Sequence, residues 1–372
     1  GTFGRGFFVL DDYTSLRTAK EADLAAEAHV FPVRDAWQFE RSYPLGLPGK
    51  SFQGDSYWQG ENLGAEALIT YYIKDEIKTL TDQRREAEKE LAKEGKDVSY
   101  PTYEELEAER LEEDPVLYFT IRDDDGTIVR KLETRHGKGV QRISWDLRTA
   151  PKDPISLSRP SFYNPFAGQD EGTLAAPGIY SVTMSLWHNG EMRDLAPPVT
   201  FEVIPLNNTT MPARDRDALA EFKAEVTELS RAVQGTQRAI GQVDNELRHI
   251  RKAIDHVEVP TEELMANVLA IEEDLRSIRR DLNGDPIAGE LDMDMPPSVA
   301  NRIGFINFEQ KYSTAEPTGT HRMSLQIAQE EFGPILDRLR AVVEDDLAAL
   351  RDKLQKIGAP YTPGALPDLT QF

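Results

Sequence analysis

The sequence predicts a multidomain α+β protein: an immunoglobulin-like β-sandwich with a helical insertion, followed by an antiparallel α-helical bundle. Three observations predict this. Between residues 116 and 204, apolar residues often occupy every second position, and Asp-Gly, Pro-Gly and Asn-Gly pairs separate the runs, as in short strands joined by tight turns. Residues 75–113 are rich in Lys, Glu, Arg, Ala and Leu. From residue 213, apolar residues recur at spacings of three and four, as in packed helices.

Length and charge limit the classes of function. The chain has 372 residues, which is enough for two or three domains of ordinary size. Its 65 acidic and 43 basic side chains give a net charge of −22. This balance argues against nucleic acid and against anionic lipid surfaces as partners, because both recruit clustered Lys and Arg. No apolar run approaches the ~20 residues of a membrane-spanning helix, which predicts no membrane insertion.

Residues 1–28 are predicted to be a terminal strand and a linker. Residues 7–10, Phe-Phe-Val-Leu, form a short buried-strand run, and the preceding glycines suit a close approach of the backbone. The nearby sequence offers this strand no evident pairing partner. We therefore expect the chain to be the downstream part of a longer protein.

Residues 29–210 are predicted to form the sandwich. The Asn189-Gly190 pair marks a hairpin, and a further strand follows it. The other predicted strands cover residues 67–73, 116–122, 127–132, 140–147, 176–186 and 199–204. About seven short strands with this turn punctuation are typical of an immunoglobulin-like sandwich.

The insertion, residues 75–113, is predicted to hold two charged helices. The first covers residues 75–95 and ends at a glycine. The second covers residues 102–113, where Thr102 precedes two glutamates. Such a sequence is typical of a helix N-terminus, because carboxylates there face the positive end of the helix dipole.

Residues 211–372 are predicted to form the helical bundle. A helix over residues 213–258 carries an apolar seam, and a second helix over residues 264–282 continues it. After a proline-containing linker and a short helix, a last long helix carries an apolar seam at Phe332, Leu336, Leu339, Val343, Leu347, Leu350, Leu354 and Ile357. We expect Pro334 to kink or restart that helix. Facing seams joined by short turns predict antiparallel packing.

The sequence contains no recognisable catalytic motif. Phosphate-binding loops, dinucleotide-binding glycine patterns, HExxH and the nucleophile elbow do not occur. Zero cysteines exclude disulfides, thiolate nucleophiles and iron–sulfur clusters. His249 and His256 lie seven residues apart, or ~10 Å along a helix, which is too far for one small metal ion. We therefore predict no catalytic residue and no cofactor.

Glu290, Asp292 and Asp294 are the weak candidates for a metal site. They alternate with apolar residues before a pair of prolines. A loosely held cation is one interpretation, and a solvated linker is the one we favour. The acidic run that ends at Gly126 resembles the start of a calcium loop, but it lacks the glutamate that completes an EF-hand, so we interpret it as a hairpin turn.

Aromatic residues in the first half of the chain offer a second candidate, a surface on which sugars stack. Strand aromatics more often belong to a core, which is the alternative we favour. The residues concerned are Tyr57, Trp58, Tyr71, Tyr72, Tyr118 and Trp145.

Several segments resemble the region that follows the propeller in bacterial Asp-box (BNR), sortilin-type β-propeller proteins. These proteins are commonly described as glycosyl hydrolase-like or sialidase-like. The resemblance begins with Gly-Thr-Phe-Gly-Arg-Gly-Phe-Phe-Val-Leu-Asp-Asp at the start of the chain. It continues at residues 31–36, 67–74, 139–148, 174–180 and 317–321.

The resemblance implies an architecture and a location. Residues 1–28 would be the last propeller strand and a linker, and the upstream propeller of the same protein would be the first partner, with a glycan or a protein ligand as further ones. Such proteins are typically exported, which implies a periplasmic or secreted location. Any catalytic or ligand-binding residues of the family's propeller have no counterpart in this chain.

Three functions follow from this interpretation. The first is a non-catalytic accessory region that packs on the propeller or presents a binding surface. The second is a part of a glycoside hydrolase whose active site lies in the propeller, with loops 46–64 and 149–172 at its rim. The third is a structural protein that oligomerises through its long helices.

Overall fold

The structure is a computed structural model that describes residues 12–40, 64–157, 162, 171–209 and 211–366. The chain divides into two compact units. We call Gly1–Ala150 with Thr173–Thr210 the β unit, and Pro151–Gly172 with Met211–Phe372 the helical unit. The strand predicted at residues 7–10 lies outside the described residues.

The β unit begins, in its described part, with two short helices, α1 (Thr14–Thr18) and α2 (Glu21–Ala25). Its described strands are β1 (Ala28–Val30), β2 (Ala36–Gln38), β3 (Ala67–Ile73), β4 (Val116–Arg122), β5 (Ile128–Arg135), β6 (Gly139–Trp145), β7 (Gly178–His188), β8 (Glu191–Asp194) and β9 (Val199–Pro205). Strands β1, β3 and β6 form one antiparallel sheet in that order. The second sheet has the order β2-β9-β7-β4-β5, with β8 beside β7. Its pairs are antiparallel except the parallel pair of β2 and β9.

The two sheets share one core. The side chains of strand β4 alternate between a buried face, which contributes to this core, and a partly exposed face. The Trp145 ring lies 5.0 Å from the Tyr180 ring, and its Nε1 donates to the Arg148 carbonyl oxygen at 2.8 Å. The largest fully buried side chains of this core include Tyr71, Phe119, Leu117, Ile121, Ile69, Leu147 and Met184.

The predicted hairpin turns are confirmed. Asn189 and Gly190, between β7 and β8, have φ of 51° and 79°. Two consecutive positive φ angles are those of a type I′ turn, which the Asn-Gly pair favours. Between β4 and β5, Gly126 has φ of 81°, and the Thr127 amide donates to Asp123 Oδ1 at 2.8 Å. Asp123 therefore supports a turn, as we expected.

The insertion between β3 and β4 contains the two predicted helices, α3 (Leu80–Lys93) and α4 (Tyr103–Leu111). The Thr79 hydroxyl caps α3 by accepting from the Asp82 amide at 3.1 Å. Thr102 caps α4 in the same way, because its hydroxyl accepts from the Glu105 amide. The Glu105 carboxylate in turn accepts from the Thr102 amide. The threonine seen in the sequence thus begins the second helix.

The helical unit contains the bundle. Its described helices are α5 (Arg216–Ile254), α6 (Glu262–Asn283), α7 (Pro286–Glu290), α8 (Val299–Gln310), α9 (Gly319–Ala341) and α10 (Leu347–Lys356), with a π turn at Val342–Asp346 between the last two. Helices α5 and α6 are antiparallel, because Arg251 pairs with Glu272 at one end and Gln237 bonds Asn283 at the other. None of the described helices combines the length and apolar composition needed to cross a bilayer.

The last long helix differs from the prediction. It begins at Gly319, so Pro334 lies inside α9 and does not restart it. The buried seam then steps from Val342 to Leu347 across the π turn, a spacing of five residues. A π turn adds one residue to a helical turn, and this addition rotates the seam back toward the core.

Candidate functional site

The candidate site is the insertion itself, residues 75–113, which we call the arm. None of its 39 residues is buried. It carries 14 acidic and 7 basic side chains, a net charge of −7. A folded segment with no buried apolar residue contributes little to its own stability, because helices in proteins are stabilised mainly by packing.

Charged side chains hold the arm's two helices together. The Arg84 guanidinium on α3 forms two bonds to the Glu109 carboxylate on α4, at 2.5 and 2.9 Å, and a third to Glu88 at 2.6 Å. The Thr81 hydroxyl also bonds Glu109. The Arg84 guanidinium lowers the pKa of Glu109, so the pair stays ionised at neutral pH.

Six apolar side chains of the arm are exposed to solvent. Tyr103 and Leu106 are three residues apart on α4 and therefore share one face of the helix. The exposed apolar side chains of the arm are Leu80, Val98, Tyr100, Tyr103, Leu106 and Leu111. The arm thus combines acidic groups with an exposed apolar face.

The arm joins the sheet between two histidines. Strand β4 follows the arm and lies between β5 and β7. Its first residue, Val116, pairs with Arg135 on one side and with Trp187 on the other. His136 and His188, the next residues along those neighbours, are therefore level with the arm's C-terminal end.

Both histidines contact the arm. At its N-terminal root, the Ile77 amide donates to His136 Nδ1 at 3.1 Å. At its C-terminal root, His188 Nε2 lies 3.6 Å from a carboxylate oxygen of Glu112, whose side chain is 6% exposed. The other carboxylate oxygen of Glu112 accepts from the Leu80 amide at 2.6 Å. Glu112 therefore connects the C-terminal root to the beginning of α3.

Burial lowers the pKa of His136 below its ordinary value of 6.5. Glu76 and Glu27 oppose this shift, whereas the positive charges of Arg193 and of protonated His188 add to it. Arg193 forms two bonds to the Glu27 carboxylate, which lowers the pKa of Glu27. His136 is therefore favoured in the neutral form that accepts a hydrogen bond.

The structure separates the metal candidates of the sequence. Glu290 ends α7, Asp292 follows in a turn with φ of 51°, and Asp294 lies in the segment before α8. All three side chains are exposed. Among the described residues, no group of three or more His, Asp or Glu side chains is arranged to hold a metal ion.

The other candidates have structural roles or lie outside the description. Trp145 and Tyr71 are buried in the core of the β unit, whereas Tyr57 and Trp58 lie outside the described residues. His249 and His256 are exposed on the helical unit. In the segment 317–321, which contributed to the resemblance, Thr318 is the N-cap of α9.

Comparison with known proteins adds no functional assignment. No protein-family model matches the chain, and no curated protein matches it.

The sequence reasoning did not single out His136 or His188. The signal that identifies them is the strand register, since His188 ends β7 and His136 directly follows β5, the two strands that flank β4. The predicted Asn189-Gly190 hairpin placed His188 beside a turn, but only the pairing of β4 on both sides brings both histidines to the arm.

Proposed function

We propose that this chain is a non-catalytic accessory and interaction region of a larger exported β-propeller protein, and that the arm is its interaction element. The observation that carries the proposal is that no residue of the arm is buried. Two helices of 14 and 9 residues are marginal in water when neither buries an apolar side chain. A partner that covers the exposed apolar face would supply the missing burial.

The upstream propeller of the same protein is the partner we propose. The arm's net charge of −7 favours a partner surface with a basic rim, and Tyr103 and Leu106 favour an apolar centre. A free glycan is less favoured, because the arm's acidic side chains outnumber its exposed aromatic rings.

Two finer parts of the proposal rest on the resemblance. We propose that the β unit is an immunoglobulin-like sandwich, which is supported by two sheets that contribute to one core. We also propose that the protein is extracytoplasmic, in the periplasm or secreted. The alternative function, a part of a glycoside hydrolase with its active site in the propeller, remains a second proposal from the same resemblance.

Hydrogen exchange of the arm tests the proposal. The amides of α3 and α4 would be followed in this chain alone and in a longer protein that includes the upstream sequence. We expect at least tenfold higher protection in the longer protein, because covering the apolar face stabilises the helices. The variant Leu106→Ser should abolish the increase, whereas Leu269→Ser, at a half-exposed position on α6, should leave it intact.

Equal protection in the two proteins would overturn the proposal, since the arm would then need no partner. Sugar hydrolysis distinguishes the alternative function. Hydrolysis of a panel of glycosides by the longer protein, but not by this chain, would favour the glycoside hydrolase over the accessory region.

A further inference from the structure

A buried imidazole nitrogen without a partner lies at the root of the arm. His188 Nε2 is buried and has no hydrogen-bond partner in the structure. The nearest charged group on the arm is Glu112, 3.6 Å away, and its side chain is itself almost fully buried. At the other root, His136 Nδ1 already accepts the Ile77 amide. The two histidines therefore respond to protonation in opposite ways.

We propose that His136 and His188 make the attachment of the arm depend on pH: acidification releases its N-terminal root and strengthens its C-terminal root. The arm would then pivot about Glu112. The consequence for a partner rests on the proposed function, but the pivot itself does not.

At the N-terminal root, protonation removes a hydrogen bond. A neutral imidazole accepts at Nδ1 only when its proton is on Nε2. The imidazolium carries protons on both nitrogens, so its Nδ1–H would face the N–H of Ile77. The Ile77 amide then loses its hydrogen bond to His136.

At the C-terminal root, protonation adds a bond. The proton on His188 Nε2 would face the Glu112 carboxylate, 3.6 Å away, and a charge-assisted hydrogen bond forms once the two groups approach by about 0.7 Å. The Glu112 carboxylate also accepts from the Leu80 amide. The Trp187 indole donates to the carboxylate of the neighbouring Glu113 at 2.8 Å. The beginning of α3 and the end of α4 thus stay joined while residue 77 is released.

Charged groups surround both histidines. Carboxylates of Glu76, from the arm, and Glu27, before β1, face His136, together with Arg193 from β8 and His188 from β7. Glu112 and His136 lie near His188, and Glu191 on β8 is its cross-strand partner. The positive charge of protonated His188 adds to the lowering of the His136 pKa, because two charged imidazoles repel.

Amide exchange measured by NMR tests the pivot without any partner. The protection of the Ile77 and Leu80 amides would be compared at pH 7.5 and pH 5.5, corrected for intrinsic exchange. We expect Ile77 to lose protection about fivefold on acidification, the loss that corresponds to one ordinary hydrogen bond. His136→Gln should remove this dependence, because the Gln oxygen accepts at both pH values. His249→Gln, at an exposed position elsewhere, should retain it.

His188→Gln separates the two roots. It should keep the loss at Ile77 but lower the protection of Leu80 at pH 5.5 relative to the unmodified chain, because Glu112 loses its charged partner. Unchanged protection of Ile77 in the unmodified chain between the two pH values would overturn the proposal. So would an equal loss at Ile77 in the His136→Gln variant, or unaltered Leu80 protection in His188→Gln.

Discussion

His136 connects the folding of the β unit to pH, because its bond to Ile77 requires the neutral imidazole. Burial lowers its pKa in the folded chain below 6.5, the value of a freely exposed imidazole. Between the folded value and about 6.5, the unfolded chain binds more protons than the folded one. Above about pH 6.5, titration of His136 therefore does not reduce the free energy of unfolding. This free energy decreases as the pH falls through that window. It stops decreasing below the folded pKa of His136.

We expect urea unfolding to detect this contribution. The midpoint followed by tryptophan fluorescence should decrease between pH 7.5 and pH 5.5, and the decrease should be smaller in His136→Gln. Comparison of the two chains cancels the contributions of other titrating groups. A decrease of the same size in both would contradict the assignment to His136.

Phe119 illustrates the alternation that holds the two sheets together. Its ring is fully buried and lies 4.8 Å from the Tyr71 ring, while Tyr118 faces the other side of β4. We expect Phe119→Ala to lower the free energy of unfolding of the β unit by about 3–5 kcal/mol, because the cavity adds to the lost transfer energy. Tyr118→Ala should cost clearly less in the same urea titration. Equal costs would contradict the assigned faces of the strand.

At the level of elements, the arm is held by ion pairs where most helical hairpins use apolar contacts. Arg84→Gln removes the bonds to Glu109 and Glu88. We expect a partial loss of helical ellipticity at 222 nm, and we expect 1 M salt to cause a similar loss in the unmodified chain by screening the pairs. In Arg84→Gln, the urea midpoint followed by tryptophan fluorescence should not change. Lys89→Gln on the same helix is the control, and an equal loss in that variant would contradict the role of Arg84.

Local signals made several elements predictable from the sequence. Thr102 with its following glutamates predicted the start of α4, and the Asn189-Gly190 pair predicted the turn after β7, because both depend on a few adjacent residues. The apolar spacing similarly predicted α5 and α6. These features need no knowledge of distant contacts.

Other features depend on packing and were not predictable. The seam prediction selected Leu336 and Val343, whereas the structure buries Ile335 and Val342 more deeply. The π turn has no local sequence signal and is detectable only where the facing helices fix which residues are buried. The role of His188 likewise requires the register of β4 with both its neighbours.

At the level of the whole molecule, the described residues form two separate hydrophobic cores. One belongs to the helical unit and the other to the β unit, and they share no residue. All four tryptophans, at positions 37, 58, 145 and 187, fall within the sequence ranges of the β unit. The long helices, which dominate the ellipticity at 222 nm, lie in the helical unit. Two optical signals therefore report on the two units separately.

Substitution in one core should shift one signal. Leu275 is fully buried on α6, so Leu275→Ala should cost the helical unit about 2–5 kcal/mol. We expect Leu275→Ala to lower the urea midpoint followed at 222 nm and to leave the midpoint followed by tryptophan fluorescence unchanged. We expect Phe119→Ala to lower the fluorescence midpoint and to leave the midpoint at 222 nm unchanged. Leu269→Ala, at a half-exposed position on the same helix, is the control. If either core substitution shifted both transitions equally, the units would unfold as one. Independent transitions would mean that the β unit carries both roots of the arm within a structure that folds on its own.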